Sequence, residues 1–305
     1  SFYKEPLRWI LASVGSIQNQ TFGDFEFIII CDNPDYAEAI EAIRSLARTD
    51  RRIRLLTNER NIGITKSLNR GLSVARGGLI ARMDADDIAY PERFATQAAF
   101  LDAHIEIGLC SSDVDVIDKD GKVTKRRRNR RKNESRWIYM ENYISHPTVM
   151  FRRSIMELRS PLYNEEYRYT QDYELWIYLL SKGVRMHSLD ECLLQYRCSD
   201  SNISTVHYAK QNDYFNELHW RLVSGRLIKS GIIEKDDLKD MRVMLEKSVR
   251  AFGQYDRKEK AELAMIIYTL YFTLATDDWR YIVRYFLDRN FLPLRLRAQL
   301  SYQML

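Results

Sequence analysis

The apolar positions in the first hundred residues follow two different periods. Short, nearly continuous apolar runs bounded by turn residues are typical of strands that are covered on both faces. These runs lie at 25–31, 53–57 and 79–83. Between them, apolar residues recur every three or four positions, which predicts helices. The predicted helices cover 7–17, 36–47, 64–75 and the segment from Pro91 to Leu101. Strands and helices that alternate with short connections predict a parallel, doubly wound α/β sheet.

Further along the chain the pattern changes. Strand-like runs occur within 107–118 and 145–154, and 170–180 predicts a helix. Beyond about residue 204 the strand signals stop, and amphipathic helical stretches such as 238–249 and 261–274 dominate. We therefore predict an α/β domain over 1–200 and a helical C-terminal region over 201–305.

Positive charge is concentrated in one segment. The formal net charge is only +5, but Lys122 to Lys132 contains eight basic residues among eleven and no acidic residue. Such a run is most often a solvated, mobile loop. Two functional interpretations compete with this, namely contact with anionic lipid headgroups and contact with an anionic, lipid-diphosphate-linked acceptor. The aromatic and basic C-terminal helices allow the same interpretation, but for most of their length the pattern favours a homodimer interface or simple packing.

Cysteine usage and hydropathy suggest the compartment. The four cysteines form no Cys-x-x-Cys pair, which favours reduced thiols in a cytoplasmic protein over disulfides or a zinc site. The N-terminal residues do not resemble a signal peptide, and no run of about 18 apolar residues occurs. We expect a cytoplasmic protein, with the inner face of the cytoplasmic membrane as a second location.

Three carboxylates crowd together at the end of the third predicted strand. Asp84, Asp86 and Asp87 follow directly in "IARMDADD", and carboxylates with water favour Mg²⁺ or Mn²⁺. Asp32 ends an earlier strand, so we expect it on the same edge, where ligands of open α/β sheets bind. A purely structural interpretation is that Asp84 or Asp87 only caps the next helix. We expect this role for Asp87, at the start of the Pro91 helix.

Five motifs occur in an order that resembles the family 2 glycosyltransferases of the GT-A fold. This large inverting group uses nucleotide-diphosphate sugars, and the likeness extends over residues 3 to 200 and is to the bacterial surface-polysaccharide and lipopolysaccharide type. The motifs are "SIQNQTF", "FEFIIICDN", "NIGITKSLNRGLSVARG", "IARMDADD" and "TQDYELW". The resemblance implies a Rossmann-like nucleotide-diphospho-sugar transferase domain, a hexosyltransferase activity, and a UDP-sugar donor with Mn²⁺ or Mg²⁺. The implied acceptor is a saccharide or lipid-linked saccharide, and the transferred sugar a hexose or N-acetylhexosamine.

The same resemblance assigns roles by position. Asp172 in "TQDYELW" matches the catalytic base, which takes the proton of the acceptor hydroxyl, with the helix dipole keeping it ionised. Asp86 is implied as a metal ligand, and His146 as a second group that completes the metal or diphosphate shell. The nucleotide side is assigned to four residues, which are Asp32, Asn61, Arg82 and Asp84.

One expected element is not present in this sequence. In the family, a first strand precedes the segment that begins at Tyr3, and it lies centrally in the sheet beside "FEFIIIC". We therefore expect about ten or more further residues upstream of Ser1, because the loss of an interior strand would expose backbone edges.

Two other function classes compete with the glycosyltransferase hypothesis. Sugar-phosphate nucleotidyltransferases share the architecture and the carboxylates, but they usually carry a glycine-rich basic loop near the start, which this sequence lacks. A non-enzymatic nucleic-acid or membrane adaptor built on "KRRRNRRK" is the third hypothesis. No nucleic-acid-binding module accompanies that run, so we expect no nucleic-acid partner.

Overall fold

The computed structural model describes residues 1–127, 135–199 and 202–275. Within these residues the chain forms two compact units. One unit contains 1–135 and 142–215, and the other contains 136–141 and the described residues from 216 onward. The predicted boundary at residue 200 remains a prediction. The basic residues 128–132 and the chain beyond residue 275 lie outside the described residues.

The described residues of the first unit contain eight strands, whose bounds agree with the predicted runs where a run was identified. They are β1 (Phe27–Cys31), β2 (Ile53–Thr57), β3 (Leu79–Ala81), β4 (Ile88–Ala89), β5 (Ile107–Ile117), β6 (Val123–Arg127), β7 (Met150–Arg152) and β8 (Arg185–Arg197). The predicted helices are confirmed to within two residues at most ends. The helices are α1 (Leu7–Gln18), α2 (Ala37–Thr49), α3 (Ile64–Val74), α4 (Arg93–Ala103), α5 (Gln171–Ser181), α6 (Ile203–Val206), α7 (Tyr208–Lys229), α8 (Met241–Ala251) and α9 (Arg257–Ala275).

The strands form two sheets, so the prediction of one parallel sheet is only partly correct. Strands β1 and β2 pair in parallel, as predicted. The second sheet has the order β3-β7-β5-β8-β4, with β6 added on β5, and it is mixed. In it, β3 pairs antiparallel with β7. The apolar run of β3 indicated a buried strand, but it carried no information about a partner about seventy residues downstream.

An apolar cavity of about 640 Å³ lies between β1 and β3. Phe2 borders it and begins a parallel pairing along β1, since its N–H donates to the Ile30 carbonyl at 2.9 Å and its own carbonyl accepts from the Asp32 N–H at 2.8 Å. The upstream strand implied by the resemblance stays a prediction.

The basic run is not a free loop over its described part. Residues 123–127 form β6, an exposed strand that pairs antiparallel with β5, and Arg126 lies opposite Asp115. The Arg126 Nε atom is 3.1 Å from a carboxylate oxygen of the buried Asp115. The expectation of a mobile loop is therefore wrong for these five residues, because hairpin pairing fixes their backbone.

The helical part of the second unit has its own core. Helices α8 and α9 contribute its apolar side chains, among them Met244, Leu245, Ile266 and Ile267. The Thr269 hydroxyl donates to the Tyr139 carbonyl at 3.1 Å and so joins α9 to the segment 136–141. No helix among the described residues has the length and apolarity needed to cross a membrane.

The second unit is predicted to lose stability in mild acid through His219 of α7. Burial lowers the pKa of His219 from 6.5 to about 4. Between these values the unfolded chain binds a proton that the folded chain does not bind. The contribution of His219 to the free energy of unfolding is therefore fully present above about pH 6.5. It decreases by about 1.4 kcal/mol per pH unit as the pH falls towards 4.

Urea unfolding of wild type and His219→Gln at about pH 7 and about pH 5 measures this contribution. The variant should lose this part of the pH dependence, whereas His104→Gln, at an imidazole that is 48% exposed, should keep it. Equal pH dependence in wild type and His219→Gln would contradict the prediction.

Candidate active site

The acidic loop that follows β3 is held between α1, β8 and a buried arginine. The Ser13 hydroxyl of α1 donates to the Asp84 carbonyl at 3.1 Å. Arg82, which is 8% exposed, donates through Nη1 to Asp84 Oδ2 at 2.7 Å and through Nη2 to Asp84 Oδ1. This two-point pairing is the geometry in which a guanidinium holds a carboxylate most strongly. Asp84 is thus engaged by Arg82.

Asp87 has a different role from the one expected. It is fully buried, and its Oδ1 accepts the backbone N–H of Arg197 at the end of β8 at 2.8 Å. Helix α4 begins at Arg93 without any side-chain cap, so the prediction that Asp87 helps to start this helix is wrong. Burial and the charges of Asp84 and Asp86 raise the pKa of Asp87 well above its usual value. Asp87 therefore ties the acidic loop to β8.

Asp86 is the carboxylate that the protein leaves open. Its side chain is half-buried, and within the described part of the chain no other residue donates a hydrogen bond to it. Burial, the Asp84 charge and the Glu5 charge raise the pKa of Asp86 to about 7. Its ionised form is thus electrostatically unfavourable when nothing positive is bound nearby.

This arrangement fits a hard divalent cation whose coordination shell is completed by oxygen atoms of the donor. No group of three or more His, Cys, Asp or Glu side chains that could hold a metal occurs among the described residues. Mg²⁺ sites, however, commonly use one or two carboxylates and take their other ligands from phosphates and water. An open carboxylate of raised pKa beside a second acid suits such a site, because a cation would relieve the repulsion.

His146 is not brought into a metal-ligand cluster with Asp86. It is 7% exposed, and its Nε2 lies 2.8 Å from the Tyr163 hydroxyl. Burial and the Arg82 charge lower the pKa of His146 well below its usual value, so the ring is neutral. The ring also meets Trp176 edge-on, with the ring centroids 5.7 Å apart. The metal role of His146 stays a prediction, and ligation through Nε2 would require it to leave Tyr163.

Asp172 lies in the first turn of α5, as predicted, but burial changes its electrostatics. Asn142 donates to its Oδ2 at 3.0 Å. Burial raises the pKa of Asp172 although the Tyr173 N–H, Asn142 and Arg82 all lower it. The expectation that the helix dipole keeps Asp172 ionised stays a prediction. A carboxylate of raised pKa is a stronger base than one at the usual value.

The buried Tyr163 is paired with His146 through its hydroxyl and lies within electrostatic range of both Asp84 and Asp172. Burial raises its pKa above the usual range, and the charges of Arg82, Asp172 and Asp84 all act on it. The Tyr163 backbone N–H donates to the Asn69 Oδ1 of α3 at 3.0 Å. Neither Tyr163 nor Asn142 belongs to a motif with recognisable spacing, so no sequence signal pointed to them.

Asp32 directly follows β1, and Asn61 lies in the loop between β2 and α3. Asp32 is 4% exposed, and its carboxylate accepts from Asn58 Nδ2 at 2.6 Å and from the N–H groups of Ile62 and Gly63, both at 2.9 Å. Asn61 itself is exposed. In this conformation Asp32 organises the loop that presents Asn61, and the nucleotide contacts of both residues stay predictions.

Comparison with known proteins identifies the family. The sequence profile described as "Glycosyl transferase family 2" matches residues 1–159. A glycosyltransferase of Methanocaldococcus jannaschii, MJ1057, described as uncharacterized, is 34% identical over 72% of this chain and 77% of its own length. The O-antigen biosynthesis glycosyltransferase WbnJ of Escherichia coli is 29% identical over 62% of this chain and 74% of its own length.

Solved structures with the same fold include those of S. aureus TarS. Its 1–349 fragment in complex with UDP-GlcNAc has a TM-score of 0.55 at 17% identity, covering 97% of this chain and 84% of that one. A longer TarS chain has a TM-score of 0.52 at 18% identity, and this chain spans 51% of its length. Likeness at this identity supports the fold. Together with the profile match and the archaeal relative, it shows that the chain is a glycosyltransferase of family 2 with a GT-A domain followed by a helical region.

Proposed function

We propose that the protein transfers a hexose or N-acetylhexosamine from a UDP-sugar to a saccharide or lipid-linked saccharide acceptor, with inversion at the anomeric carbon and with Mn²⁺ or Mg²⁺. The observation that carries the proposal is that two buried or half-buried carboxylates, the open Asp86 and Asp172 at the start of α5, both lie within reach of the Arg82 charge. One carboxylate suits the diphosphate side, and the other suits the acceptor hydroxyl.

The donor class is supported by the structural neighbours. TarS has been crystallised in complex with UDP-GlcNAc and with UDP, and we extend the uridine nucleotide to this chain. The polymer class is supported by WbnJ and by the amylovoran biosynthesis glycosyltransferase AmsE of Erwinia amylovora, which is 28% identical over 62% of this chain. We therefore propose a cytoplasmic role in surface-polysaccharide or lipopolysaccharide synthesis.

In the proposed reaction, charge develops at two places. The acceptor oxygen attacks the anomeric carbon and gives its proton to Asp172, while the bond from that carbon to the diphosphate breaks and UDP leaves. Arg82 lies on the diphosphate side, and Asp86 would hold the metal, which supplies positive charge to the leaving group. The Asn142 side chain orients the base by its hydrogen bond to Asp172.

The exposed strand β6 supports a peripheral contact with anionic surfaces. Its five side chains are all exposed. Among the described residues of this strand, Arg126 is the one that pairs with an acid, Asp115. Lys125 and Arg127 can therefore face an anionic membrane or a diphosphate-linked acceptor.

Replacing Asp86 should abolish the metal-dependent part of donor binding. In Asp86→Ala, UDP affinity measured by calorimetry with Mn²⁺ should fall at least about tenfold, since even outer-shell partners of a metal contribute that much. UDP binding without metal should change little. Glu92→Ala removes an exposed carboxylate and should behave as wild type. Retention of Mn²⁺-dependent UDP binding in Asp86→Ala would exclude Asp86 as a ligand.

Replacing Asp172 should separate binding from turnover. Asp172→Asn keeps the shape of the side chain but removes the base, so kcat should fall about 10²- to 10⁴-fold while UDP affinity stays close to wild type. Glu174→Gln, on the same helix, alters a carboxylate that pairs with Arg159 and should leave kcat largely intact. Turnover of Asp172→Asn at the wild-type rate would refute the assignment of the base.

Charge reversal on β6 should weaken membrane binding. Each exposed base near an anionic surface contributes about 1 kcal/mol, so Lys125→Glu with Arg127→Glu should reduce the partition coefficient at least about 30-fold. Co-sedimentation with phosphatidylglycerol vesicles measures this. Arg44→Glu with Arg51→Glu makes the same change in net charge at exposed positions elsewhere. If both pairs reduce binding equally, only net charge matters and the proposed contact is wrong.

A further inference from the structure

Arg197, the last residue of β8, is a buried arginine that touches the acidic loop. It is 3% exposed, and a buried guanidinium requires hydrogen-bond acceptors on most of its edge. Its Nε donates to the Asp86 carbonyl at 2.8 Å, and its Nη1 donates to the Asp118 carbonyl at 2.9 Å. Its backbone N–H donates to Asp87 Oδ1 at 2.8 Å. One residue thus binds two successive members of the acidic loop.

The opposite side of the guanidinium is closed by α1 and by the turn after β5. The Arg197 guanidinium carbon lies 5.0 Å from the centre of the Trp9 ring, within the range of a cation–π contact. The Trp9 Nε1 in turn donates to the Lys119 carbonyl at 3.1 Å. Arg197 is therefore enclosed by three separate segments and has little freedom to move independently of them.

These contacts determine what remains free in the acidic loop. Arg82 holds the Asp84 carboxylate and Ser13 holds the Asp84 carbonyl. On the other side, Arg197 holds the Asp86 carbonyl and the Asp87 carboxylate. The loop backbone is fixed before and after Asp86, and the Asp86 carboxylate is left to bind something else.

We propose that Arg197 is a positioning residue that orients the Asp86 carboxylate toward the metal and diphosphate of the donor. The inference rests on the proposed function, because it assigns Asp86 the metal. Arg197 would act through the peptide of Asp86, whose carbonyl accepts from its Nε. Partners of this kind typically contribute 10- to 100-fold to metal affinity. Lysine cannot replace it, because a single ammonium does not present the forked donors that reach both carbonyls.

A second arginine in the same unit provides a matched control. The guanidinium of Arg152 in β7 also donates its hydrogen bonds to backbone carbonyls. These belong to Ile107 at 3.0 Å, Leu101 at 2.5 Å and His104 at 3.3 Å. None of these carbonyls belongs to the acidic loop. Arg152→Lys therefore removes comparable hydrogen bonds without touching Asp86.

Calorimetric titration of UDP, with and without Mn²⁺, into wild type, Arg197→Lys and Arg152→Lys tests the proposal. We expect Arg197→Lys to weaken Mn²⁺-dependent UDP binding about 10- to 100-fold and to leave metal-free UDP binding within about twofold. Arg152→Lys should retain the wild-type UDP affinity both with and without Mn²⁺, even if its melting temperature falls as much as that of Arg197→Lys. Trp9→Phe makes a smaller change to the ring that lies against the Arg197 guanidinium, and it should weaken Mn²⁺-dependent UDP binding as well. This variant replaces Arg197→Lys in the test if Arg197→Lys does not fold.

The outcomes separate the two proposals. Wild-type Mn²⁺ dependence in a folded Arg197→Lys, or in Trp9→Phe if that variant replaces it, would overturn the positioning role and leave the proposed function intact. An equal loss in Arg197→Lys and Arg152→Lys would reduce the effect to general stability and also overturn it. Absence of Mn²⁺-dependent UDP binding in wild type would instead refute the metal in the proposed function, and the role of Arg197 with it.

Discussion

The repulsion between three carboxylates in four consecutive positions is the constraint on which this site depends. The protein resolves it by giving each acid a different environment. A buried guanidinium neutralises Asp84, a backbone N–H at the end of β8 holds Asp87, and Asp86 receives neither. Burial and neighbouring charges raise the pKa of Asp86 to about 7, and no other described residue donates a hydrogen bond to it, so an added cation would favour its ionised form.

Arg82, the arginine that neutralises Asp84, also acts on the proposed base. Arg82 acts electrostatically on Asp172, Tyr163 and His146 as well as on Asp84. A buried, permanently charged group is well suited to this position, since it favours ionised carboxylates on both sides and keeps the histidine neutral. One guanidinium charge thus acts on both Asp84 and Asp172, the carboxylates that we propose for the two sides of the reaction.

The sequence predicted the parts of the fold that depend on local pattern. Continuous apolar runs located β1, β2 and β3, and helical spacing located the helices. The pattern predicted the parallel pairing of β1 with β2 but not the antiparallel pairing of β3 with β7, because an apolar run does not identify a partner strand far along the chain. Strand β8 was missed altogether. Its register against β5 shifts near Ser112 and Asp113, and such irregularities disturb the alternation of period two by which a strand is recognised.

In the candidate site, too, the sequence predicted what depends on local motifs and not what depends on residues far apart in the chain. Motif spacing singled out Asp86 and Asp172, but the role of Asp87 was assigned to the wrong partner, since Arg197 lies 110 positions further along the chain.

A crystal structure with UDP and Mn²⁺ tests the central claim most directly. We predict that an Asp86 carboxylate oxygen is a ligand of the metal, with Asp87 still bound to the Arg197 N–H. A metal bound by Asp87 instead, or UDP bound with no metal near Asp86, would contradict it.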